Sequence, residues 1–81
     1  MCIIKNGNDE YIEFNEGMFF EVIEHYFENK LISYNLILEE ELIESYDDEE
    51  IAVFAMQEVS RLIDEGKKYI DIEKVNLMIE V

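Results

Sequence analysis

Twenty-one aspartates and glutamates against six lysines and arginines make carboxylate chemistry the first possibility to weigh in this 81-residue chain. Paired carboxylates hydrolyse glycosides when they flank a cleft, but with so many acids a pair at any chosen spacing arises by composition alone. A helix-loop-helix calcium site needs oxygen ligands at alternate loop positions, a glycine at the sixth and a glutamate at the twelfth. The run Asn6-Gly7-Asn8-Asp9 starts in that manner and then puts Tyr11 where the glycine belongs, and in 64–73 Gly66 comes three positions early. We therefore expect no dedicated metal site and no cofactor. His25, the sole histidine, sits between Glu24 and Tyr26 with no serine or cysteine in a recognisable relation to it, so a nucleophile–base pair is not expected. Cys2 has no basic neighbour to stabilise a thiolate, and no glycine-rich phosphate loop is present. The expectation is a protein that is not an enzyme.

The acids have a second use, as a charged surface. The formal net charge is −15. Affinity for nucleic acid comes largely from Lys and Arg displacing counterions, so direct nucleic-acid binding is excluded. Anionic membranes are disfavoured for the same reason, and the longest wholly apolar run, 51–56, is too short to span a bilayer. The start, MCIIKNGNDE, shows no apolar export segment, and a lone cysteine fits a reduced compartment. A cytoplasmic setting is expected. Residues 1–60 hold 16 acids and two bases, Lys5 and Lys30, and no base occurs from 31 to 60. Within 39–50, eight of twelve residues are acidic.

These acids need a scaffold, and 49% hydrophobic residues with ten aromatics suffice for one folded domain over 1–81. Two strands, 2–5 and 10–14, flank Asn6-Gly7, a pair suited to the positive φ of a tight turn. Asn15 is placed to cap a helix over 16–30, where Phe19, Val22, Ile23, Tyr26 and Phe27 recur at helical spacing and Glu21, Glu24 and Glu28 form the opposite row. The alternation of Ile32, Tyr34, Leu36 and Leu38 with Ser33 and Asn35 predicts a strand over 31–38 with one buried face. Segment 39–50 is open between a helical turn and a strand end. A second helix starts near Asp48, with Asp47 as its cap, and stops at Gly66. The alternation of Val75, Leu77, Ile79 and Val81 predicts a closing strand. The result is an α+β fold, approximately ββαβαβ, with two helices packed on one sheet.

Acidic faces are commonly no more than solvated, but a solvated helix face normally mixes signs, because like charges repel. DNA carries a negative charge every 1.7 Å or so of its axis, and rows of carboxylates on two neighbouring elements approach that density. The candidate surface is Glu21, Glu24 and Glu28 together with Glu39, Glu40, Glu41, Glu44, Asp47, Asp48, Glu49 and Glu50, with Tyr46 as an aromatic anchor among the acids. In size, charge and architecture, though not in any motif, the chain resembles the small acidic DNA-mimic proteins with which phages and mobile elements block host DNA-binding proteins. A weaker likeness is to barstar-type nuclease inhibitors, in a strand running into Asn6-Gly7 and a helix, Gly66 and an apolar strand at the end. The resemblance implies an inhibitor that occupies the DNA-binding surface of a basic host protein, such as a histone-like nucleoid protein or a CRISPR nuclease, in the host cytoplasm if phage-encoded. The alternative it implies is an antitoxin or immunity protein plugging a nuclease active site. Any homodimer is expected to pair the 75–81 strand and leave the acids outward.

Overall fold

The computed structural model describes residues 1–79. Its order is β1 (Cys2–Lys5), β2 (Tyr11–Phe14), β3 (Phe20–Phe27), β4 (Lys30–Leu38), β5 (Glu41–Tyr46), α1 (Glu49–Asp64), β6 (Tyr69–Asp71) and α2 (Ile72–Ile79). This is a small α+β fold with two helices packed against two three-stranded sheets, ordered β2-β1-β6 and β3-β4-β5. β1 runs antiparallel to β2, with Ile4 opposite Ile12, and parallel to β6, with Ile4 opposite Ile70. In the second sheet both pairings are antiparallel, with Val22 opposite Leu36 and Tyr34 opposite Tyr46.

One core joins these layers. Ile4 and Ile70 from the first sheet, Leu36, Leu38 and Ile43 from the second, and Ala52, Ala55 and Val59 of α1 all bury together. The three small or β-branched residues of α1 fall at i, i+3 and i+7, so one narrow stripe lies close against the strands. Ile72 and Val75 of α2 close the core from the side.

The first hairpin forms where the sequence places it, but its turn is not a tight Asn-Gly turn. Asn6 is buried, and its side chain organises a longer loop: Oδ1 accepts from the backbone N–H groups of Asn8 and Glu10, both at 2.9 Å, while Nδ2 donates to Leu42 O at 3.1 Å and Glu10 Oε1 at 3.1 Å. Gly7 N–H donates to Ile43 O at 2.9 Å. This loop clips the first sheet to β5 of the second. A Cβ at Gly7 would stand 2.5 Å from Glu44 Oε1, so a larger residue there would push the Glu44 carboxylate aside.

Two expected elements fold differently. The expected helix over 16–30 is an extended turn and β3. Its apolar spacing suits a helix, but Val22, Ile23 and the aromatics Phe20, Tyr26 and Phe27 suit a strand as well. The hairpin partner decides between them: Glu28 and Asn29, both at positive φ (50° and 65°), make a two-residue turn that lays β3 along β4 over its whole length. The expected closing strand over 75–81 is α2 as far as Ile79, while Glu80 and Val81 lie outside the described residues. Ile72 and Val75 point inward at helical spacing, and Asp71 Oδ1 accepts the Glu73 N–H at 3.1 Å at the helix start. The open segment 39–50 resolves into the turn Glu39-Glu40, strand β5 and the start of α1.

The second expected helix is present, moved by one residue at its start. Asp48 rather than Asp47 is the cap, accepting the Glu50 N–H at 2.8 Å. At the other end Gly66 adopts φ +90°, with Gly66 N–H to Ile63 O and Lys67 N–H to Leu62 O, the paired bonds of a Schellman stop. Asp48→Ala is expected to lower stability by about 1 kcal/mol, which is about 4–8 °C in melting temperature for a domain this small. Thermal denaturation followed by circular dichroism checks this, with Asp47→Ala as the control expected to leave the melting temperature unchanged.

Candidate partner-binding surface

The acids of 39–50 are strung along one sheet edge, because β5 is the edge strand of β3-β4-β5. Glu39 and Glu40 form the turn that enters it, Glu41 and Glu44 lie on it, Asp47 and Asp48 leave it, and Glu49 and Glu50 begin α1. At about 3.3 Å per residue, Glu41 through Asp48 extend about 23 Å. One DNA strand places about seven phosphates over that length, against four carboxylates here, Glu41, Glu44, Asp47 and Asp48; Glu39 and Glu40 at one end and Glu49 and Glu50 at the other bring the segment to eight. None of them is in an ion pair among the described residues. The ion pairs among the described residues are Lys5–Asp9 at 3.4 Å, Arg61–Glu58 and Arg61–Glu65.

The structure divides the twelve nominated residues. Glu39, Glu40, Glu41, Asp47, Glu49 and Glu50 are exposed and make no side-chain hydrogen bond or ion pair among the described residues. Glu44 is half-buried and structural: Oε1 accepts the Ser45 N–H at 3.0 Å and Oε2 accepts Asn76 Nδ2 at 3.1 Å. Asp48 is the helix cap. Tyr46 corrects the expectation of an exposed anchor. It is 6% exposed, part of the core, and its hydroxyl donates to Asn76 Oδ1 at 2.6 Å. The chain Tyr46–Asn76–Glu44 therefore ties α2 to β5 from inside.

The Glu21, Glu24 and Glu28 row does not exist as a row. On a strand, residues 21 and 24 point to opposite faces, and Glu28 occupies the hairpin tip at the far end. Glu24 Oε2 accepts the Tyr26 hydroxyl at 2.7 Å, and this bond with the adjacent negative charge raises the Tyr26 pKa. β3 is the opposite edge of the sheet from β5, two strand spacings or about 9.5 Å away. Two acids not nominated from sequence join the β5 edge instead. Glu10 is drawn to it through Asn6, and Glu13 lines, with Glu39 and Glu41, a hollow of about 340 Å³. Nothing in the sequence signals this, because it follows from the docking of the first hairpin turn on β5.

Cys2 is buried, and burial pushes its thiol pKa up, leaving it protonated at neutral pH. Among the described residues no group of three or more His, Cys, Asp or Glu side chains is arranged to hold a metal ion. A groove of about 610 Å³ runs between the β2–β3 connection and α1. Its walls are Phe14, Met18, Phe20, Met56 and Ile63, and Asp64 is the one carboxylate lining it. No helix among the described residues is long and apolar enough to cross a membrane.

Compared with protein families, curated proteins and solved structures, the chain matches none.

The turn Glu39-Glu40 adds an energetic observation. Both residues hold positive φ, 47° and 81°, where side chains other than glycine and asparagine are strained. Glu40→Gly is expected to raise stability by about 0.5–1 kcal/mol, or roughly 3–6 °C, after allowing for the looser unfolded chain of glycine. An unchanged or lower melting temperature would show that the turn imposes no cost on its glutamates.

Proposed function

We propose that this protein is a non-enzymatic DNA mimic that occupies the basic DNA-binding surface of a host protein with its β5 edge. The observation that carries this reading is the set of eight carboxylates along the β5 edge and at its two ends, none of them in an ion pair among the described residues. A surface that served solubility alone would interleave lysines, as opposite charges stabilise their own element. Here the acids are kept even at two strained turn positions. The contact set is Glu39, Glu40, Glu41, Asp47, Glu49 and Glu50, extended by Glu13, while Glu44 and Asp48 hold the edge in shape.

The partner class follows from the charge: a bacterial DNA-binding protein with a basic groove or ridge, whether a nucleoid protein or a nuclease. Association is steered electrostatically, so it is fast and falls steeply with salt. Immobilised protein is expected to retain such a partner from bacterial lysate at low ionic strength and to release it to duplex DNA. Retained proteins that duplex DNA does not displace would count against mimicry.

A further inference from the structure

β3 is a free sheet edge of eight residues. It pairs with β4 on one side only, so its alternate N–H and C=O groups face outward. The edge is regular along its length: at the irregularity between His25 and Tyr26 the extra residue, Ile32, belongs to β4. Natural edges are commonly protected by lysine, proline or a bulge, and β3 carries none of these. Instead Ile23, Tyr26 and Phe27 are exposed, at 45%, 55% and 63%.

Charge and symmetry together narrow what can pair there. A two-fold axis perpendicular to the sheet keeps each face on its own side, so opposed residues must have the same parity. Centring on Glu24 sets that carboxylate against itself. Centring on Val22 brings Glu28 against Glu16 of the other copy. Centring on Ile23 avoids both conflicts: Ile23 meets Ile23, Phe20 meets Tyr26, Glu24 meets Val22, and Glu21 meets the imidazole of His25. Phe19, exposed before the strand, then meets Phe27.

We propose that the chain forms a two-fold homodimer by antiparallel pairing of β3 with β3 of a second copy, centred on Ile23, making a six-stranded sheet. The order β5-β4-β3-β3-β4-β5 sets the two acidic edges five strand spacings apart, about 24 Å, well beyond the Debye length of about 8 Å at physiological salt. The −15 of each copy therefore does not prevent pairing where the acids are sparse. A fully buried aromatic covers about 150–250 Å². Phe19, Tyr26 and Phe27 from both copies, with Ile23, thus cover on the order of 800 Å² beyond the backbone pairing. This lies below the roughly 1,200 Å² at which standard specific interfaces begin, so the dimer is weak.

Sedimentation velocity from about 1 to 500 µM reads the association, and Ile23→Lys, an exposed change that sets two ammonium groups on the axis, is expected to weaken it at least tenfold with the melting temperature retained. Register is read by oxidative cross-linking. Opposed Cα atoms in an antiparallel pair lie about 4.5–5.5 Å apart, within disulfide reach. Ile23→Cys should therefore cross-link readily, whereas Glu24→Cys and the exposed Leu77→Cys should not, and native Cys2 is buried. A chain monomeric at 500 µM, an Ile23→Lys dimer of undiminished strength, or cross-linking at position 24 in preference to 23 would each overturn the proposal. The first of these would leave the edge to a strand of another protein.

Discussion

Asn6→Ala is expected to destabilise the domain by about 2–3 kcal/mol, lowering the melting temperature by about 15 °C. The side chain is 2% exposed and makes four hydrogen bonds, two as acceptor from Asn8 and Glu10 N–H and two as donor to Leu42 O and Glu10 Oε1. Alanine removes all four and leaves the Leu42 carbonyl on β5 without this donor. Asn6→Asp keeps the acceptor but turns a carboxylate toward the Leu42 carbonyl and the Glu10 carboxylate, so it is not expected to rescue stability. If aspartate matched the wild type, the Asn6 Nδ2 bonds to Leu42 O and Glu10 Oε1 would contribute nothing to stability. Thermal and urea unfolding of the three proteins distinguish these results.

The same residue shows where the sequence was and was not legible. Asn6-Gly7 marks a turn between two apolar strands, and a turn is there, but its long-range partner on β5 has no local signature. Helix α1 was readable at both ends because its signals are local: Asp47-Asp48 before an apolar stripe, and Gly66 after it. β3 was misread because Phe19, Val22, Ile23, Tyr26 and Phe27 satisfy helical spacing, and the decisive information lay in the Glu28-Asn29 turn and in a strand downstream. α2 was misread for the converse reason, since alternating Val75, Leu77 and Ile79 fit a strand while Ile72 and Val75 are the residues the core takes up. The acidic segment 39–50 was evident from composition. Which of its members are free was not, because Glu44, Tyr46 and Asp48 are recruited by contacts with Asn76 and with the first turn of α1.

That division shapes the second large effect. Reversing Glu39, Glu40, Asp47 and Glu49 to lysine together is expected to weaken binding to the basic partner by about 4 kcal/mol, roughly a thousandfold, at about 1 kcal/mol for each charge. All four are exposed and make no side-chain hydrogen bond or ion pair among the described residues, so the fold should survive, and an unchanged circular dichroism spectrum confirms that it does. Glu44 and Asp48 are unsuitable for the purpose, because their loss would confound binding with stability. The matched control is reversal of Glu21, Glu24 and Glu28 on the β3 edge, which is expected to cost less than tenfold.

The central claim is that the β5 edge takes the place of DNA, and competition tests it most directly. With the retained partner purified, its affinity for a labelled duplex is measured at increasing concentrations of this protein. The account predicts mutual exclusion, with the apparent dissociation constant for DNA rising in proportion to added protein without a plateau. A ternary complex of partner, duplex and this protein, seen as a plateau in that rise, would contradict it.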